Sequence, residues 1–284
     1  GAGRPEATAA IERAVDLFAA KVGMDPAEVR RINFVAPDAF PFTTKTGTVY
    51  DSGEYERALD AALEAADYAG LRDEQQRRRD AGDVKQLGIG VATYVEITGF
   101  GGSEYGEVSL KADGTVLATT GSTPIGTGHV TTWAMIVADK LGLDFDEVEV
   151  FHGDTDVVPS GETTGGSRSV QIAGSAMADA SDKLIDLARQ TAADLLEAAP
   201  ADIVFDKASA EFHVAGTPAV GRTWVQVAEA AADPLAGLSD FSQDGATFPF
   251  GTHIVVAEVD TETGKATIER IIAVDDSGVI INPL

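Results

Sequence analysis

Two stretches of this sequence combine residue types suited to holding an anion. The first is Gly121-Ser122-Thr123-Pro124-Ile125-Gly126-Thr127-Gly128-His129. The second is Ser160-Gly161-Glu162-Thr163-Thr164-Gly165-Gly166-Ser167-Arg168-Ser169. Each leads straight into a segment that reads as a helix. Glycines let the backbone approach a ligand closely. Amides at a helix start point outward, and the helix dipole there favours negative charge. Ser and Thr hydroxyls add donors, and Arg168 offers a bidentate phosphate contact. Two such loops suit a ligand with phosphate and polar ring edges. Turn-and-cap chemistry alone explains the same composition, so the loops by themselves leave both readings open.

Other chemistries find less support. There is no Gly-x-x-x-x-Gly-Lys-Ser/Thr phosphate loop, no His-Glu-x-x-His zinc helix and no Gly-x-Ser-x-Gly elbow. His129, His152, His213 and His253 are scattered without ligand spacing, and His213 sits in a strand pattern. Ser160, Asp154, Asp156 and Glu162 faintly resemble a calcium loop, but the glycine and last Glu are misplaced for one. They read equally as a polar loop capped by its own carboxylates. Zero cysteines exclude disulfides, iron–sulfur ligation and thiolate catalysis by this chain and fit a reducing, cytoplasmic setting. Of 284 residues 46 are acidic and 21 basic, a net charge of −25 that repels nucleic acid and anionic membrane surfaces. No apolar run approaches the roughly 18 residues of a membrane span.

The elements that must position these loops follow from periodicity. Pro5 to Gly23 reads as an amphipathic helix, with Ile11, Val15, Leu17, Phe18 and Val22 on its stripe. A second helix starts at Asp25-Pro26, with Asp25 as cap and Glu28 completing a capping box. Residues 34–50 read as loop, and 53–68 as a third helix. The polar stretch 72–82, with Arg77-Arg78-Arg79 as a solvated face, reads as a helical tail or linker and as the best internal boundary. Leu87–Thr98 and Tyr105–Thr120 read as strands joined through Gly99-Phe100-Gly101-Gly102. A helix over 130–141, a strand over 148–152 and a long helix over 169–198 follow. Then come a strand or hairpin over 202–214, a helix over 223–231, and a hairpin of 254–259 with 266–274 around Thr261-Glu262-Thr263-Gly264. The mixture without a clean βαβ period predicts an α+β fold of two subdomains, 1–82 and 83–284.

In order, the motifs resemble the large, molybdopterin-binding subunit of the xanthine dehydrogenase and aerobic carbon monoxide dehydrogenase family. The resemblance runs from Gly1-Ala2-Gly3-Arg4-Pro5-Glu6-Ala7 and Met24–Asn33 through Thr46–Gly53, Gly126–Thr132, Gly153-Asp154-Thr155-Asp156 and Gly165–Ser169. It closes on Gly251-Thr252-His253, Glu258–Gly264, Asp275-Asp276-Ser277-Gly278 and Ile281-Asn282-Pro283. It implies a molybdenum cofactor carried by a pterin, in bacteria usually the cytidine dinucleotide form, without ordinary side-chain ligands to the metal. It implies hydroxylation with water as oxygen source, and electrons leaving through an iron–sulfur subunit and an FAD subunit.

By resemblance, Gly126, Thr127, Gly128 and His129 map to a cofactor-binding loop. Gly165, Gly166, Ser167, Arg168 and Ser169 map to the loop that wraps pterin and phosphate. Gly1, Ala2 and Gly3 map to the loop facing molybdenum and the substrate pocket. Thr127 stands where the family usually has a Gln that gives an amide to the cofactor. The family's active-site Arg and upstream glycine-rich loop are expected before Gly1, and its catalytic Glu after Asn282-Pro283. The chain therefore reads as an internal piece of the large subunit, inactive alone, whose exposed apolar faces would meet the rest of that subunit or self-associate as a homodimer. The apolar end, Val279 to Leu284, agrees with that reading. The alternative is a non-catalytic binding or assembly module that kept the fold and lost the cofactor. A third reading is a domain whose loops hold another nucleotide.

Overall fold

The computed structural model describes residues 1–99 and 101–283. Phe100, in the expected Gly99–Gly102 connection, and Leu284, in the apolar end, lie outside the described residues. In chain order the helices are α1 Arg4–Val22, α2 Pro26–Ile32, α3 Tyr55–Ala66, α4 Tyr68–Ala81, α5 His129–Leu141, α6 Gly174–Leu195 and α7 Trp224–Ala230. The strands are β1 Phe42–Thr43, β2 Val49–Tyr50, β3 Lys85–Val95, β4 Ser103–Leu110, β5 Val116–Thr120, β6 Val148–His152, β7 Ile203–Asp206, β8 Glu211–Val214, β9 Gly221–Thr223, β10 Ala236–Ser242, β11 Phe250–Asp260 and β12 Ala266–Asp276. The fold is α+β, as the mixture of patterns predicts.

The chain forms two compact units. One comprises Gly1–Ile97 with Thr247–Val279, the other Thr98–Ala246 with the few residues after Val279. In the first, β12, β11 and β3 make an antiparallel sheet. The expected hairpin of β11 and β12 is present, with Gly264 at φ 72° in its turn. Helix α3 buries Leu59, Ala62 and Ala66 together with Val91 and Ile254 of the sheet, and Tyr55 and Ala58 with Phe250. The stretch 72–82 is helical and packs within this unit: buried Gln75 donates to the Leu87 carbonyl at 2.8 Å. Arg78 of the triple Arg pairs with Glu258 at 2.9 Å. Asp25 caps α2 through the Ala27 amide at 2.8 Å. Glu28 instead bonds Arg31 at 3.1 Å, so the expected capping box does not form.

In the second unit the sheet order is β10-β4-β5-β6. The expected single strand over 105–120 is a hairpin. Asp113 accepts from the Thr115 amide at 3.0 Å, and Gly114 at φ 86° turns the chain. Strands β5 and β6 pair in parallel across the α5 crossover. Helices α5 and α6 bury Trp133, Val137, Leu141, Met177 and Leu184 with Val108, Val116 and Ala118 of the sheet. Helix α6 lies unusually close to that sheet. A Cβ on Gly106 would stand 2.8 Å from the Ala176 backbone, and one on Gly237 would stand 1.9 Å from the Ala180 carbonyl oxygen. The sheet β7-β8-β9 with α7 closes this core through Phe205, Phe212 and Trp224.

Candidate cofactor-binding loops

Both glycine loops belong to the second unit, and the fold presses them together. The first connects β5 to α5. The second leads from β6 into a π-helical turn, Ser169–Ala173, that continues as α6. A Cβ on Gly161 would stand 2.3 Å from the Gly121 Cα, so only glycine permits this approach. Thr164 donates to the Thr123 carbonyl at 2.8 Å, Ser169 donates to the Thr164 hydroxyl at 2.9 Å, and the Ser122 hydroxyl reaches Ser169 at 3.4 Å. The loops are thus one hydrogen-bonded body.

The entry to α5 is open. Gly126 and Gly128 have φ of 88° and 76°, and no side chain caps the helix at Gly128. A Cβ on Gly126, Gly128 or Gly165 would meet nothing within 4 Å. The backbone faces of these glycines are therefore free for a ligand, and uncapped first-turn amides of α5 are donors for an anion. Thr127 and His129 share a hydrogen bond, Oγ1 to Nδ1, at 2.8 Å. The imidazole stacks on Trp133 at 5.4 Å between centroids, and desolvation lowers its pKa from the ordinary His value. His129 is thus neutral at pH 7.

Arg168 points inward. It is 4% exposed; its Nη2 donates to the Ser103 carbonyl at 2.9 Å, and its Nη1 lies 2.9 Å from Glu162 and 3.6 Å from Glu104. Its guanidinium is held by these groups only in part: Nη2 is hydrogen-bonded, whereas Nε and Nη1 are buried without a hydrogen-bond partner among the described residues. Glu104 was not legible as a site residue: it falls just before the stretch 105–120 that reads as strand, and no local pattern marks it. Gly1, Ala2 and Gly3 lie in the first unit, where Gly3, at φ 85°, begins α1 and Ala2 is also left-handed at φ 49°.

The faint calcium pattern is used internally. Asp154 accepts from the Asp156 amide at 2.9 Å, and Glu162 is committed to Arg168. Among the described residues no group of three or more His, Asp or Glu side chains is placed to hold a metal ion. No described helix is long and apolar enough to cross a membrane.

The open glycine faces and the donor set fit a phosphate-bearing pterin, and comparisons with known proteins point the same way. Residues 61–284 match the family model of a molybdopterin cofactor-binding domain, and residues 1–34 match a second model of that description. The carbon monoxide dehydrogenase large chain of Hydrogenophaga pseudoflava is 37% identical over 98% of this chain and 37% of its own length. A Cu,Mo-CO dehydrogenase structure superposes with TM-score 0.90 and 34% identity, over 98% of this chain and 38% of that one. Quinoline 2-oxidoreductase from Pseudomonas putida 86 gives TM-score 0.87 and 30% identity, over 97% and 37%. The chain thus spans little more than a third of the length of the relatives it matches.

Proposed function

The chain belongs to the molybdopterin-binding large-subunit family of xanthine and carbon monoxide dehydrogenases, and from that membership we propose that it is the cofactor-binding part of a molybdenum-dependent oxidoreductase. Within the subunit, 1–82 would close the first cofactor-binding domain and 83–284 form most of the second. The observation that carries the assignment is the pair of interlocked glycine loops with an uncapped helix start and open glycine faces.

In this reading the first-turn amides of α5, with Gly126, Thr127, Gly128 and His129, bind phosphate and polar edges of the cofactor. Gly165, Gly166, Ser167 and Ser169 wrap it with backbone and hydroxyl donors. Arg168 acts through the loop that it holds. Gly1, Ala2 and Gly3, in the first unit, are carried as candidates for the metal and substrate side by the family resemblance alone. The neutral His129 offers a hydrogen bond without adding charge, its ring fixed by Thr127 and Trp133. When bound, the cofactor supplies the molybdenum that takes two electrons from the substrate.

The cofactor is the cytidine dinucleotide form, by the family's bacterial habit. Electrons pass to an iron–sulfur partner and then an FAD partner, which agrees with a chain that has no cysteine to hold a cluster itself. The setting is the cytoplasm. Exposed Leu17 and Phe18 on α1, and Ile268 and Ile271 on β12, are surfaces on which the rest of the large subunit would pack.

Gly165→Val in the full-length subunit tests the assignment. Its Cβ enters open space, and its φ is not left-handed, so the fold tolerates it. We expect a clear fall in molybdenum per polypeptide with unchanged thermal stability. Unchanged molybdenum would remove this loop from the cofactor site.

A further inference from the structure

Glu104, near the start of β4, is 1% exposed, and neither carboxylate oxygen accepts a well-aligned hydrogen bond among the described residues. Burial raises its pKa above the ordinary Glu value, while Arg168 and nearby backbone amides act against the shift. A carboxylate buried this way is costly unless a charge partner compensates it. Its contacts supply that partner and do more. A Cβ on Gly121 would stand 2.4 Å from Oε1, so this oxygen lies directly on the first glycine loop. Oε2 lies 3.6 Å from Nη1 of Arg168 in the second loop. Arg168 reaches back along its own loop to Glu162 at 2.9 Å and holds the Ser103 carbonyl, next to Glu104, at 2.9 Å. Glu162 in turn packs on Gly102: a Cβ there would stand 2.2 Å from its Oε1.

One buried carboxylate on a rigid strand therefore touches one loop and charge-pairs with the other. We propose that Glu104 is a positioning residue for the two cofactor-contacting loops. Its charge holds the Arg168 guanidinium inward, and Arg168 holds residues 160–169 against Gly121. Glu104 does not touch the ligand. It sets the spacing at which the loop amides and hydroxyls meet it. A rigid strand is suited to this, because a loop site depends on groups that fix its backbone. The inference rests on the reading of these loops as cofactor contacts.

The test uses the full-length large subunit and two readouts. Glu104→Gln keeps the volume and removes the charge; Glu104→Asp keeps the charge on a shorter stem. In cofactor-free protein, amide hydrogen exchange over 160–169 should quicken about tenfold in Glu104→Gln, the scale of one lost contact to a charged group. Exchange in β5 should hold. In protein made by a cofactor-producing host, molybdenum per polypeptide should fall severalfold, with partial recovery in Glu104→Asp. Unchanged exchange over 160–169 would overturn the positioning role, whatever the molybdenum content. Faster exchange with full molybdenum content would overturn the link to the cofactor, and with it the reading of these loops. Should β5 also loosen, the Glu104→Gln/Arg168→Gln double variant decides. A loss no greater than that of Arg168→Gln alone supports a shared lock, and additive losses overturn it.

Discussion

The indole nitrogen of Trp133 donates to the carbonyl oxygen of Ser169 at 2.8 Å, joining the helix that follows one glycine loop to the last residue of the other. Trp133 is fully buried and also carries the stacked His129, so one side chain supports both loops.

Trp133→Phe keeps an aromatic ring but leaves the Ser169 carbonyl without this donor. An unsatisfied buried acceptor costs about 1–3 kcal/mol. Urea unfolding should show a loss in that range, with faster exchange over 160–169. A variant as stable as the parent would show that the bond is replaced.

The partial burial of His129 predicts a pH effect. The folded pKa of His129 lies below its value of 6.5 in the unfolded chain. Its contribution to stability is therefore full above about pH 6.5 and is lost as pH falls through the folded pKa. The parent should lose more stability than His129→Gln on acidification through that window. Parallel curves would mean that His129 stays solvated.

Arg30 is buried between Glu12 at 2.6 Å and Asp16 at 3.0 Å, joining α1 to α2. Arg30→Met would strand two carboxylates, at a cost of about 3–5 kcal/mol if they stay buried. Both are partly exposed, so the loss should fall at the low end or below. Thermal unfolding at two salt concentrations measures it, and no loss at all would mean that the pair is fully screened.

Gly237→Ala places a methyl 1.9 Å from the Ala180 carbonyl oxygen. Overpacking of this kind costs about 1–3 kcal/mol or more. A clear drop in Tm is expected, and an unchanged Tm would show that α6 shifts freely on its sheet.

Much of this fold is legible in the sequence because its helices carry their own periodicity and caps. The stripe of α3, the start of α5 after Gly128 and the hairpin of β11 and β12 around Gly264 all stand where local pattern puts them. The glycine loops are also legible, since they need only composition and position before a helix. The β4–β5 turn is not, because a short turn at Asp113-Gly114 separates two stretches that both alternate. Strand β10 escapes notice because its Gly237 and Ser239 are chosen by the closeness of α6 and by a bond to Asp179, not by strand propensity. The inward turn of Arg168 depends on Ser103 and Glu104, more than sixty residues earlier, and no local pattern encodes a partner at that separation.

The central claim is that this chain is the cofactor-holding part of a molybdenum enzyme. The most direct measurement is molybdenum by elemental analysis, together with released pterin, on the full-length protein from a host that makes the cofactor. The account predicts both, near one per polypeptide, with the pterin released as a cytidine dinucleotide. Neither molybdenum nor pterin in a folded full-length protein would contradict it and leave a module that kept the fold without the cofactor.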